Sequence, residues 1–594
     1  MNAGLAQAGS VVQRRPVPAI TLIWALVAVL LAALSPGLTQ RSFPDVDDAL
    51  RLVQVRDLLA GQGWYDLHQY RLTPPEGTLM HWSRLVDLPL AAAIALLSLA
   101  MPVGDAEFLA AVAVPLLLLL GTMLFVGDLV WHRLGRLPAV LTLLAFVLVP
   151  VLPGQFQPMR IDHHAWQVLS VAAALWAIFR KDPQRGGAIA GLAMAAGLMI
   201  SLETIVMAAG FAAVLTLRWL LDPAQRMWLV RYVQALATGL VVLFALTRGL
   251  PDLAAHCDAI SPPHLALFAL VAIGASLLAV PAHLHPAVLI GGLGASALCG
   301  IVVIASTAPA CLAPPFAGLD PVVQKYWYVL IAEGQPLWRQ PPGEALPAAL
   351  QCLVAVAVAA WAALRGAVQH RVFWRDLAVV MAVAALAGFA TQRSLAFAGL
   401  VAAIPLGWLA AQLIARWQAT PRIGPKLGVA AVLFAAFLPG ALVGPLLGAA
   451  GVQDAGASAA PATTTQCALP ANLRRLDALG SATIFTTLDF APLVLAYSHH
   501  GVVASSHHRA ERAMRDVIVA FTREPETARA IVAARGAQFV AICPSVGDAK
   551  VYRTVGGTRS LAAQLAAGTP PAWLERVDVG AAGGLMVWKV VPAR

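Results

Sequence analysis

The sequence predicts a polytopic α-helical membrane protein that ends in a small α/β domain. Three observations predict it. Of 594 residues, 59% are hydrophobic and only 12% charged, where soluble globular chains carry roughly 45–50% and roughly 25%. Mean hydropathy is +0.76, and apolar runs such as 109–127 and 427–449 have the length of a bilayer-spanning helix. After residue 450 a stretch rich in Ala, Gly, Ser and Thr gives way to strand-like runs alternating with helical patterns. So few charges cannot cover several soluble cores with polar surface. Disordered, collagen-like, coiled-coil and disulfide-scaffold chains are excluded at the same step.

The apolar runs lie at about 19–38, 88–103, 108–131, 138–153, 166–180, 187–200, 203–221, 228–249, 264–281, 287–306, 345–365, 374–390, 396–415 and 427–449. The net charge of +10 resides mostly in the short loops between them, where the positive-inside rule accounts for it, so a nucleic-acid partner is not called for. Arg14 and Arg15 place the N-terminus in the cytoplasm. The first run is long for a secretory signal and other spans follow, so it reads as an uncleaved span. Arg133 and Arg136, Arg180 to Arg185, Arg226 and Arg231, Arg365 and Arg371, and Arg416 to Lys426 mark further cytoplasmic loops.

These assignments agree only if run 88–103 does not cross. It is shorter than the about 20 residues a span needs and is bracketed by Asp87 and Asp105, so it reads as a half-helix of the first outer loop. About thirteen spans remain. The predicted organisation is a membrane domain over 1–449 with outer loops 39–107, 154–165 and 307–344, a linker over 450–466, and a periplasmic α/β domain over 467–594 of a bacterial inner-membrane protein. In that tail, strands are expected at Thr483–Thr487, Val502–Ser505, Phe539–Cys543 and Leu585–Val591, and helices at Arg509–Arg523, Glu526–Arg535 and Ser560–Ala567. Cys467 and Cys543 fall in the tail, Cys257 and Cys311 in outer loops. Two disulfides and four free thiols are both open there.

In so apolar a chain, clustered acids need an explanation. Asp45, Asp47 and Asp48 follow the first span. Three carboxylates in four residues repel one another unless a cation is near, although Asp45 or Asp47 could simply cap a helix. In Arg160-Ile161-Asp162-His163-His164 an acid and an imidazole two residues apart can reach one divalent metal, of a kind nearer Mn²⁺ or Mg²⁺ than structural zinc; the plainer reading is polar residues at a span end. Glu333 lies in a loop of prolines and aromatics that is either a lid over a site or an ordinary amphipathic loop. Arg393, at the outer end of a span, suggests an anionic partner. The predicted topology puts all four on one face.

These residues, in this order, resemble the catalytic subunit of oligosaccharyltransferase in its archaeal and bacterial single-subunit form. The resemblance runs from Asp45 through Gly77-Thr78-Leu79-Met80-His81-Trp82 and Asp87, to Asp162-His163-His164 in place of the family's second acidic motif, to Ile331-Ala332-Glu333 of its mobile loop, and to Arg393. It implies a GT-C fold of thirteen spans with an outer-face active site. It also implies a Mn²⁺ or Mg²⁺ held by Asp45, Asp162, His164 and Glu333, with Asp45, Asp162 and Glu333 catalytic and Arg393 on the donor phosphate. The implied donor is a polyprenyl-phosphate- or pyrophosphate-linked sugar, transferred with inversion to a glycan, lipid or protein acceptor among membrane lipids. The chain departs from the family at Trp-Trp-Asp-Tyr-Gly, where it has Thr487-Leu488-Asp489-Phe490-Ala491. Asp47, Asp48, His81, Asp489, His507 and His508 are the acceptor-side candidates. The last two could equally be a solvated helix start capped by Ser506.

Two other classes compete. A transporter or flippase of lipid-linked sugars predicts ionisable residues at mid-span and internal repeats. A non-catalytic envelope-glycan assembly protein leaves the rim acids unexplained. The spans are nearly free of charge at their centres and show no repeat, which favours an enzyme.

Overall fold

The computed structural model describes residues 16–314, 316–450 and 465–591. Arg14, Arg15 and most of the expected linker lie outside the described residues.

The described residues up to 449 are mostly helical. Among the described residues, seven helices are long and apolar enough to cross a membrane: Val103–Leu134, Leu202–Leu221, Pro223–Thr247, Pro286–Thr307, Pro342–Arg365, Val368–Ala390 and Gln392–Ala419. Ile423–Phe437 and Pro439–Ala449 make an eighth if taken as one span, but they meet at 83°. Run 427–449, expected as one span, is therefore broken. Pro439 has no amide hydrogen to give and its ring crowds the preceding turn. Other expected spans are apolar but short, namely Val17–Ala33, Arg136–Ala145 and Pro262–Leu278. The run 138–153 carries Pro150 and Pro153, and a helix tends to stop before such residues.

Run 88–103 belongs to helix Arg84–Leu97, started by the Ser83 side chain accepting from the Leu85 amide. At about 1.5 Å per residue it spans about 21 Å, short of the hydrocarbon core. It is not among the helices of span length.

Burial divides the helices. Most of the apolar window of Gln392–Ala419 is enclosed by other helices (89%), whereas Pro286–Thr307 is largely bare (17%). Close packing in the bundle depends on glycine. A Cβ on Gly407 would stand 2.4 Å from the Thr142 amide nitrogen, and one on Gly191 would stand 2.2 Å from the Tyr232 carbonyl oxygen. Small residues let helix backbones approach in this way.

The C-terminal residues form a five-stranded sheet, ordered β4-β3-β5-β7-β6, from β3 (Thr483–Phe485), β4 (Gly501–Val502), β5 (Phe539–Ile542), β6 (Leu574–Val577) and β7 (Met586–Val590). β3 runs parallel to β4 and β5, and β7 antiparallel to β5 and β6. Phe485, Phe521, Val540, Tyr552 and Trp588 fill its core. The expected strands and helices are present, with shorter strands. Unexpected are β6, whose Glu575 and Arg576 face outward, and helices Ala491–Tyr497 and Gly547–Gly556.

Two long loops bind this sheet to the helical part. In the first, β1 (His68–Gln69) and β2 (Thr78–Leu79) form a hairpin. The chain between them lies along β4: the Thr73 amide donates to the Val502 carbonyl at 2.9 Å and the Val502 amide to the Arg71 carbonyl at 2.8 Å. An open sheet edge is thereby covered. In the second, Val323 and Trp327 join the core of the sheet domain, and Asp320 pairs with Arg515 at 3.2 Å. Disulfides join Cys257 to Cys311 and Cys467 to Cys543.

Candidate active site

Helix Val46–Leu59 begins because the Asp45 side chain accepts from the Asp47 amide at 2.9 Å. Capping and site membership, alternatives in the sequence, hold together here. One Asp45 oxygen caps, and the other meets Arg160 at 2.9 Å. The same guanidinium reaches Asp162 at 3.1 Å and Asp48 at 3.7 Å. Asp48 is fully buried and accepts the amides of Ile161 and Asp162 at 2.8 and 2.9 Å. It thus ties the first acidic segment to the second across 114 residues. Met159, at φ 69, turns the chain into this loop through a region that side chains seldom adopt.

The other expected residues gather around this knot. Asp162 accepts the His164 amide at 3.0 Å and stands 3.6 Å from His164 Nε2, while His164 Nδ1 bonds Gln167. Glu333 arrives through Gln335, whose carbonyl accepts the Gln392 amide at 3.0 Å. Its charge acts on Asp47, Arg160 and Arg393. Arg393 is ion-paired with Glu203, yet its buried Nε has no hydrogen bond.

The electrostatics follow from one arginine among several acids. Burial, then the charges of Asp45, Asp162 and Glu333, push the Asp47 carboxyl up to about 8. Burial with Asp162 and Asp45 nearby also raises Asp48, against Arg160. Burial opposes ionisation of Asp162 too, but Arg160 and the two imidazoles hold it below the usual carboxylate range. Orphaned buried polar atoms collect here: Asp48 Oδ2, Arg160 Nε, His163 Nδ1, Gln167 Nε2 and Arg393 Nε. Buried groups normally find partners, so this concentration is that of a site made to meet something else.

Asp489 faces the site from the sheet domain. Its amide donates to Asp548 at 2.8 Å, and burial with Asp548, Asp45 and Asp47 nearby raises its carboxyl well above the ordinary value. His81, His507 and His508 meet one another instead. His81 Nδ1 lies 2.9 Å from His507 Nε2, and His508 binds Asp258 at 2.7 Å.

Three participants have no role in the sequence reading. Arg160 stands within the quoted motif but only the fold shows it bridging three acids. Glu203 stands at the junction of two apolar runs, and a lone acid there is a signal that hydropathy offers. Asp258 is a loop acid beside a cysteine, with nothing local to mark it.

No protein-family model matches the sequence, and no curated protein is similar to it in sequence. In structure the chain is similar to the archaeal oligosaccharyltransferase AglB from Archaeoglobus fulgidus in complex with an inhibitory peptide and a dolichol-phosphate, at 14% identity over 89% of this chain and 70% of that one, with a TM-score of 0.66. An A. fulgidus oligosaccharyltransferase tethered to an acceptor peptide with an NVT sequon matches at 15% identity over 98% and 75%, TM-score 0.64. One in complex with Zn and sulfate matches at 13% over 88% and 67%, TM-score 0.63. The chain therefore has an oligosaccharyltransferase-like GT-C fold and is a multi-pass membrane protein.

Proposed function

We propose that this protein is a membrane glycosyltransferase that moves a sugar or oligosaccharide from a polyprenyl-phosphate- or pyrophosphate-linked donor to a glycan, lipid or protein acceptor on the periplasmic face of a bacterial inner membrane. The carrying observation is the convergence of Asp45, Asp48 and Asp162 on Arg160, with Glu333 acting on the same group. In this reading 1–449 is a GT-C membrane domain of about thirteen spans, some of them short, and 467–594 is the periplasmic α/β domain. The N-terminus is cytoplasmic.

The donor set fits a hard divalent cation. Carboxylate oxygens with one imidazole suit Mn²⁺ or Mg²⁺, and the buried Asp48 Oδ2 has no hydrogen bond. Asp45, Asp162, His164 and Glu333 would hold the ion. When bound it would offset the surplus negative charge and stabilise charge developing on the leaving phosphate. Arg393 binds that phosphate through its unpaired Nε. Asp47, half-buried and without an ion pair among the described residues, orients the acceptor and takes its proton. The raised carboxyl of Asp47 suits a general base working near neutral pH. Asp489 approaches from the acceptor side.

The test is transfer from a polyprenyl-linked donor by the purified full chain in lipid vesicles. Asp45→Ala and Asp162→Ala are each expected to lower transfer at least about 100-fold, as losing a charge-stabilising group does. Wild-type rates in both would overturn the reading.

A further inference from the structure

Away from the carboxylate knot, metal-type ligands from three distant segments meet. His81 follows β2 in the first outer loop, Asp258 lies between helices Arg226–Thr247 and Pro262–Leu278, and His507 and His508 precede helix Glu511–Thr522. The three imidazole centroids are 4.9, 4.9 and 5.2 Å apart. One ligand atom from each of His81, Asp258 and His508 lies within 4.8 Å of the other two. The ion pairs of His508 and Arg509 run to Asp258, not to the acids around Arg160.

The arrangement is more than a salt bridge. His81 Nδ1 is engaged by His507 Nε2 at 2.9 Å, leaving His81 Nε2 for another partner. The far nitrogen of His507, Nδ1, is buried without a hydrogen bond. On its other side Asp258 is gripped by Arg509 at 2.8 and 2.7 Å. Hydrogen bonds that fix the orientation of ligating side chains are the usual outer surroundings of a metal.

We propose that this cluster is a second divalent-cation site, of the imidazole-rich kind that zinc takes, with His81, His508 and Asp258 as ligands and His507 and Arg509 orienting them. Two imidazoles and one carboxylate are a borderline-soft set that suits zinc, unlike the oxygen-rich set around Arg160. The ion would join the first outer loop, the 249–261 loop and the sheet domain. It would also reach the segment that carries Glu333, because Cys257, next to Asp258, is disulfide-bonded to Cys311 and the Phe316 ring stands edge-on to His508 at 5.1 Å. The proposal does not depend on glycosyl transfer.

The experiment uses the full chain in detergent, stripped with a chelator, loaded with Zn²⁺ alone, desalted, and assayed by elemental mass spectrometry. A chain carrying Asp45→Asn and Asp162→Asn, with this cluster intact, is expected to retain one zinc equivalent although it is inactive in transfer. Adding His508→Gln should remove that equivalent, as should Asp258→Asn. Because Asp258→Asn strands Arg509, a second measurement leaves the cluster untouched: Co²⁺ in place of Zn²⁺ should give the visible absorption of a low-coordinate imidazole site. Equal zinc with and without His508→Gln, or no zinc and no cobalt bands with the cluster intact, would overturn the proposal.

Discussion

Two charge clusters share helix Val46–Leu59 and are built with opposite stoichiometry. At Asp87 one carboxylate serves two arginines. Arg51 meets one oxygen at 2.8 Å, while Gln54 and Arg84 meet the other at 2.5 and 3.2 Å. Arg51 also lies over the Trp82 ring, 4.3 Å from its centroid. At Arg160 one guanidinium serves three carboxylates, Asp48 Oδ2 has no hydrogen bond, and Asp47 has no ion pair among the described residues. The first cluster is wholly enclosed, whereas the second keeps Asp45 and Asp47 partly open. Arg51 Nε and Gln54 Oε1 of the first cluster also lack hydrogen bonds, so the separation lies in how the acids are served. The first has its acid satisfied on both oxygens and staples Val46–Leu59 to Arg84–Leu97. The second keeps surplus negative charge that a cation or an acceptor hydroxyl can use.

The largest expected effect breaks the staple. Asp87→Ala leaves two buried guanidiniums without their acid and should cost about 3–5 kcal/mol, read as a fall in the unfolding temperature of the purified chain. The same change at Asp162 should cost much less stability and far more activity. Arg160→Met is next. It removes the cation that pairs with Asp45, Asp48 and Asp162 and should destabilise the chain in chelator, with about 2.7 kcal/mol recovered at a Mn²⁺ concentration about a hundred times its dissociation constant. A deficit that Mn²⁺ leaves unchanged would assign Arg160 to structure alone.

A smaller effect concerns Asp548, whose carboxyl burial raises to about 6. For an acid raised on folding, the protonated form is favoured in the folded state. Stability is then greatest below its unfolded value near 4 and declines as pH rises towards 6. Asp548→Asn should flatten that decline, measured by unfolding temperature between pH 4 and pH 7 at fixed salt. Smallest is Asp105→Ala, which removes the exposed pair with Arg41 and should change stability by about 1 kcal/mol or less, setting the scale for a charge pair that water already serves.

Sequence determined the membrane class, the candidacy of the clustered acids and most elements of the sheet domain, since hydropathy, loop charge and residue periodicity are local properties that the chain carries before it folds. It also marked Asp45, Asp162, His164, Glu333 and Arg393, because polar residues stand out in an apolar chain. Tertiary structure alone decided which group answers which. Arg160 bridges acids more than a hundred residues away in sequence, Glu203 takes Arg393, Asp258 meets His508 across 250 residues, and the run 427–449 bends at Pro439. Such pairings depend on how helices and loops pack against one another, and no local pattern encodes them.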